Sequence, residues 1–574
     1  MMGFEGMRAA LACGLALAAF FALGGSAESS LASTAYAVLR WLDAADAVHH
    51  EIEARIDFAS GEASFVDDAL FTSEGKRTIH FLLGVDAELQ RVEWLSGNEW
   101  TELPFGTTFR WEAVPFVVYR VQLPRAVPAG DPFRLRFYWR ITPESARFHP
   151  PFPAPGFFYL GYPVLWYPQM PNEDYFTATL AVAAPAGYTV IADGEPGEPV
   201  REDEWELRRY RISLPVNRLG FGVGRFERAE VAVPGAGGRE LRVEAYAPAG
   251  APSTAREAAR RAAESIRFFE ERLGALPVSR FYVAEVPFDA PLSFSGLNGL
   301  VYGGDISLLG LEGSEGLALM AAHETAHKWI GALAGVRVVG SSWFSEGLAE
   351  YLGHLALERL VDREEAARLL ERRIYVPFAS KLRSGPGRAL SAIEIFDDDS
   401  QWIFEKGSQV FRMLHHLLGD EAFFALLRAF VAEYEGRHAS GADFTRFAVE
   451  WAARGQAPAG ARELDRFFAA WVRGTGRLDY AVEGVSTTPV RGGHQVQFTV
   501  VNLGEAPFPG SVAVLIEGDD GTEVWAESRE QTAVVAVLPS PPARIVVDPR
   551  RVLADADFGN NTWLANHLSP VQHR

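Results

Sequence analysis

The hydrophobic repeat changes twice along this chain of 574 residues, and each change marks a different kind of folded segment. From about His50 to Glu230, apolar and polar residues alternate between clusters of Pro and Gly, as in Ile52, Ala54, Ile56, Phe58 and in Phe133, Leu135, Phe137, Trp139, Ile141. That period predicts strands, because successive side chains of a strand point to opposite faces. A loose stretch, Pro234–Glu240, and one more strand, Leu241–Tyr246, precede the first change. The repeat then becomes helical. A Thr254/Glu257 capping pair and Gly274 bound an amphipathic helix. Further helices are predicted over Ser314–Leu333, Trp343–Glu358, Glu405–Leu418, Asp443–Ala453 and Glu463–Val472. Beyond about Gly474 alternation returns in Val496, Phe498, Val500, in Val512, Val514, Ile516 and in Val535, Val537. Such short strands between Gly and Pro turns predict a small Ig-like β-sandwich.

One hydrophobic core seldom serves more than about 250–300 residues, so a multidomain α+β chain is expected. The boundaries read as residues 1–27 for an N-terminal export segment, 28–232 for a β domain, 233–475 for a mainly helical domain and 476–574 for the sandwich. Lys+Arg 54 against Asp+Glu 74 leaves a net charge of −20, which opposes binding to nucleic acid or to an anionic membrane surface. Near the N-terminus, Arg8 precedes the apolar run AALACGLALAAFFALGG and the small residues Gly25, Ser26 and Ala27, the pattern of a secretory signal. Membrane contact is expected only if this segment stays attached. The single cysteine, Cys13, lies inside it, so the exported protein would have no thiol for disulfides, zinc thiolates or nucleophilic catalysis.

The chemistry concentrates in HETAHKWIGALAGVRVVGSSWFSEGLAEYL, from His323 to Leu352. On a helix, His323 and His327 project from one face and can meet one ion at about 2.0–2.1 Å. Glu324 lies one residue round from His323, where its carboxylate can serve as a base toward a coordinated water that zinc acidifies to a pKa of about 7. Glu346 stands nineteen positions after His327 and offers the anionic third ligand, while Glu350, one turn further, offers an outer partner for an imidazole. The helix around HETAH is apolar (Leu317, Leu319, Met320, Trp329, Ile330), so these polar groups would be buried and costly without a shared partner.

HETAH followed by Glu346 within WFSEGLAEYL resembles the membrane alanyl aminopeptidase family of zinc peptidases, in the gluzincin group. The likeness extends to FEKGSQVFRMLHHLLGDEAFFALLRAF, to DFTRFAVEWA with LDRFFAAWVRGTGRLDY, and upstream to WYPQMPNEDYFTATLAV, covering about His50 to Tyr480. It implies an N-terminal β-sandwich or saddle domain, a thermolysin-like α/β catalytic domain, one Zn2+ per chain on His323, His327 and Glu346, Glu324 as general base, and a peptide or protein substrate. Two family positions depart. The substrate strand's Gly-x-Met-Glu-Asn motif, whose glutamate binds a free α-amine, corresponds here to a stretch containing Gly296, Leu297, Asn298 and Gly299, without an acid. The tyrosine that donates to the oxyanion is replaced by Phe404.

The expected function is therefore an exported zinc metallopeptidase, aminopeptidase-like but without sequence support for a free N-terminus. The alternative is a zinc-containing binding or scaffold protein with impaired catalysis. Tyr302 and Tyr375 are the candidate replacement donors, although packing is the commoner role of such tyrosines. His415 and His416 read as packed or solvated histidines, and His49 and His50 as preceding a strand without acidic partners at ligand spacing.

Overall fold

The computed structural model describes residues 42–565, apart from 111–115, 144–155, 163, 173, 235–239, 251–252, 288–291, 304–305, 310, 338–339, 385–386, 394–398, 507 and 519–520. The export segment with Cys13 and most of Pro234–Glu240 lie outside the described residues. Among the described residues, no helix is long and apolar enough to cross a membrane. Contacts divide the chain into two compact units. The first comprises residues 1–335, 356–361 and 431–438, and the second 336–355, 362–430 and 439–574.

The first unit opens with a β-rich region whose largest sheet runs Glu195–Pro196, Trp205–Val216, Phe176–Pro185, Ala45–Asp57, Glu62–Ser73, Pro132–Ile141, Glu88–Ser96 and Glu99–Leu103 in spatial order. Its central strands bury alternate residues, and Phe65 stacks on Trp139 at 5.1 Å between ring centroids. His49 and His50 sit within Ala45–Asp57 rather than before it. Burial of Ala45 and Ala47 already belongs to the strand's inward face, and His50 continues toward a buried partner, Asp67, at 2.7 Å.

A mixed five-stranded sheet follows, in the order Phe226–Pro234, Glu240–Pro248, Arg280–Val286, Gly299–Gly303, Leu292–Ser295. Across it pack α1 (Ala255–Leu273) and α2 (Gly313–Ala326). The predicted capping pair of α1 does not form. Thr254 Oγ1 meets Tyr302 and Glu285, and Glu257 is drawn to Arg260 and Arg261, whose guanidinium groups outcompete a backbone N–H for its carboxylate. Glycine still ends the helix, with Gly274 at φ 96°.

The second unit holds most of α3 (Ser342–Leu360), then α4 (Arg363–Leu370), α5 (Val376–Ser384), α6 (Gln401–Leu418), most of α7 (Asp420–Tyr434), α8 (Gly441–Ala453) and α9 (Ala461–Phe468). Ser440 and Asp443 form a reciprocal capping box on α8. Two antiparallel sheets close the chain. One pairs Tyr480–Val490, Gly493–Asn502 and Gln531–Leu538, and the other Gly521–Glu527, Ser511–Glu517, Arg544–Val547 and Thr562–Leu564. Val496, Phe498, Val500, Val512, Val514 and Ile516 are buried between turns, whereas Gln531–Leu538 buries Val534 and Leu538 and leaves Val535 and Val537 exposed. The architecture is thus multidomain α+β, with β-rich ends around a helical middle.

One buried ion pair anchors the mixed sheet beside the site. Arg280 Nε donates to Glu244 at 2.6 Å, Arg228 donates to the other oxygen at 2.6 Å and the Tyr246 hydroxyl adds a third bond at 2.9 Å. Burial pushes the Glu244 carboxyl up, but the Arg280 charge and these hydrogen bonds outweigh it, and the net shift is downward. A depressed carboxylate contributes stability that is present above its unfolded pKa and lost as pH falls through the folded one. Glu244→Gln should therefore cost about 3–5 kcal/mol in urea unfolding at neutral pH, with the deficit shrinking once pH drops below about 4.

Candidate metal centre

Helix α2 is buried through Leu317, Leu319, Met320, Ala321 and Ala322, which draws His323 (9% exposed) and Glu324 (7%) into the interior with it. His327 caps its C-terminal end. The predicted continuation to Leu333 does not occur. Backbone bonds from Ala332, Leu333 and Ala334 instead reach five residues back, and Gly331 takes φ 132°, where a side chain would be strained. This tight turn brings the Ile330 carbonyl to His327 Nδ1 at 3.3 Å. With Nδ1 donating there, Nε2 keeps its lone pair for an ion.

The Nε2 atoms of His323 and His327 are 3.2 Å apart, and ligand atoms of His323, His327 and Glu346 all lie within 4.8 Å of one another. Two nitrogens about 2.0–2.1 Å from one tetrahedral ion stand about 3.3–3.4 Å apart, so the side chains present fit one divalent cation. A second group of three acids, Asp43, Asp46 and Glu74, lacks an imidazole, and Asp46 and Glu74 are exposed. Two imidazoles with one carboxylate are a zinc-type donor set; an all-carboxylate cluster is not.

Glu346 sits near the start of α3, directly before Gly347. A methyl on Gly347 would stand 2.8 Å from Gly407 Cα, so α3 and α6 cross in backbone contact at these two glycines. Phe404 is three residues before Gly407 on α6 and is half-buried. Its helix is held by Lys381, whose Nζ donates to both Glu405 oxygens at 2.7 Å, and by buried Lys406, which donates to the carbonyls of Arg388, Gly474 and Thr475. The imidazole that Glu350 Oε1 meets is that of His354, at 3.2 Å, and Arg373 donates to the same oxygen at 3.1 Å. The Tyr302 hydroxyl is engaged by Glu285 and Thr254, and Tyr375 packs with Leu370 and Ile374. His415 stacks on Phe423 and bonds the Tyr351 hydroxyl, while His416 faces Trp525.

The stretch Gly296–Gly299 forms the turn between Leu292–Ser295 and Gly299–Gly303. Sequence reasoning did not find a charged side chain bonded to this turn. Lys328, fully buried and next to His327, donates through Nζ to the carbonyls of Gly296 and Gly299 at 2.6 Å each. Burial lowers its ammonium to about 7, opposed by the carboxylates of Glu324 and Asp193. A lysine in an otherwise apolar KWIGAL run was the available signal, but its partners lie some thirty residues earlier.

Residues 311–471 match the peptidase family M1 domain. His323, His327, Glu346 and Phe404 all fall inside that span. Aminopeptidase N of Lactococcus lactis subsp. lactis is 25% identical over 179 residues, 30% of this chain and 20% of that protein. Aminopeptidase N of Haemophilus influenzae is 32% identical over 131 residues, 21% of this chain and 14% of that protein, so the matched stretch spans a fifth or less of either relative. In fold, the M1 zinc metallopeptidase of Deinococcus radiodurans aligns with a TM-score of 0.58 at 20% identity, over 75% of this chain and 95% of its own. Legionella pneumophila aminopeptidase A aligns at 0.64 with 13% identity, over 89% of this chain and 59% of its own. If the three side chains hold one zinc ion as their spacing indicates, His323→Ala or Glu346→Ala should weaken zinc binding by more than the roughly 10–100-fold typical of losing an outer partner. Metal content after dialysis against a graded chelator, with circular dichroism to confirm folding, reads the difference.

Proposed function

We propose that the chain is a zinc metallopeptidase in which His323, His327 and Glu346 hold the metal and Glu324 is the general base. The observation that carries this reading is the convergence of two imidazoles and one carboxylate, with a second carboxylate beside them on the same buried helix. Zinc bound there supplies Lewis acidity, polarising a peptide carbonyl and making water nucleophilic near neutral pH. Glu324 accepts the proton of the attacking water and returns it to the leaving amine, so that no covalent acyl intermediate forms. Burial of the helix restricts bulk water and strengthens that proton transfer. The M1 domain supports a peptide substrate, and a Deinococcus radiodurans neighbour is described with a bound Tyr-Ser-Ala substrate. Export of the chain is part of the proposal, supported by the apolar run after Arg8 and by the placement of the only cysteine inside it.

Glu324→Gln should retain the metal and lower peptide turnover by about 10²–10⁴-fold. Parental turnover in that variant would remove Glu324 from the mechanism. Chelation should abolish hydrolysis and zinc should restore it.

Phe404 favours a second reading, a zinc-containing binding protein with impaired catalysis, because the aromatic ring carries no hydroxyl to donate. The loss of one oxyanion donor typically costs about 10²–10³ in rate, which weakens an enzyme without silencing it. Phe404→Tyr should raise kcat by about that factor if the position is vacant in function. Metal binding without cleavage in both parent and variant would instead select the binding protein.

A further inference from the structure

Three carboxylates gather at one corner of the largest sheet. Asp43 precedes the strand Ala45–Asp57 and Asp46 is its second residue, while Glu74 directly follows the antiparallel partner Glu62–Ser73. Glu74 N donates to Ala44 O at 3.1 Å, which holds the strand start against the strand end. One oxygen from each of the three acids lies within 4.8 Å of the others. A fourth acid, Asp174, precedes the parallel neighbour Phe176–Pro185 and accepts from Ala47 N at the same corner.

Hydrogen bonds account for only part of this cluster. Asp43 is 2% exposed. Its Oδ2 accepts from Asn172 Nδ2, and its backbone carbonyl accepts from Lys76 Nζ. Its Oδ1 is shielded from solvent and accepts no hydrogen bond from the described residues. A carboxylate oxygen held away from water without a partner is costly. Among the described residues, Lys76 is the cation bonded to the cluster, and it reaches Glu74 Oε2 at 3.3 Å. Both side chains of that pair are exposed, so it offsets little of the charge on three carboxylates.

The donors are all oxygen, the set preferred by a hard cation, and the group contains no imidazole or thiol to select a transition metal. Calcium holds oxygens at about 2.3–2.6 Å, so ligands on opposite sides of the ion stand about 4.6–5.2 Å apart and adjacent ones closer. The spacing of the three acids fits that range. Magnesium, at about 2.0–2.1 Å, demands a tighter and more regular shell. Asp46 and Glu74 are exposed, which lets water complete the coordination.

We propose that Asp43, Asp46 and Glu74 form a calcium-binding site that clasps the start of Ala45–Asp57 to the end of Glu62–Ser73. The ion meets the buried Oδ1 of Asp43 and one oxygen from each of the other two carboxylates. This site shares no residue with the zinc-type centre and does not depend on the peptidase reading.

The test is titration calorimetry of the full chain, loaded with one equivalent of zinc, with calcium chloride at constant ionic strength. One site should appear, with a Kd of about 10⁻⁴–10⁻³ M, the range of calcium sites with few protein ligands on an exposed face. Asp46→Asn and Glu74→Gln should each weaken it by about tenfold or more, since ligand charge tunes calcium affinity, and should leave zinc content unchanged. Asp43→Asn should do the same; should that buried variant misfold, the two exposed ones decide the matter. The proposal is overturned if no saturable binding appears by about 10⁻² M calcium, if magnesium binds as tightly, or if the folded Asp46 and Glu74 variants keep the parental affinity.

Discussion

Two imidazole nitrogens 3.2 Å apart at the buried end of a helix, with a carboxylate beside them, form the interaction on which the rest depends. A divalent cation satisfies all three donors together, and it does so at separations the side chains already have. The cost of burying His323 and Glu324 on an apolar helix is then offset by a single ligand.

The surrounding structure keeps those donors from relaxing apart. Gly331 turns the chain so that the Ile330 carbonyl fixes the tautomer of His327. Gly347 and Gly407 let α3 and α6 touch, which sets the position of Glu346 on one helix and Phe404 on the other. Lys381 and Lys406 hold α6 from two sides through Glu405 and three backbone carbonyls. Together these contacts leave the three candidate ligands few alternatives.

Much of this was legible in the sequence, for a physical reason. The histidine spacing is a local property of one helical turn, and Glu346 follows after a short connection, so both could be read without knowing the tertiary fold. Period two and period 3.6 likewise identify strands and helices one segment at a time. What failed to read depends on partners distant in sequence or on backbone geometry. The apolar stretch after His327 looks helical by composition, yet its hydrogen bonds reach five residues back through a glycine with positive φ. Thr254 and Glu257 fit a capping pair, but Glu285, Arg260 and Arg261 compete for them. His50 lacked an acid at ligand spacing and found Asp67 across the neighbouring strand. Lys328 stands alone in an apolar run, and its acceptors, the carbonyls of Gly296 and Gly299, lie some thirty residues earlier.

The account predicts where a metal sits and which atoms hold it. Anomalous diffraction at the zinc absorption edge, from crystals of zinc-replete protein, tests this most directly. One strong peak between Nε2 of His323, Nε2 of His327 and the carboxylate of Glu346 is the expected result. A peak held by other residues, or none in crystals grown with stoichiometric zinc, would contradict it.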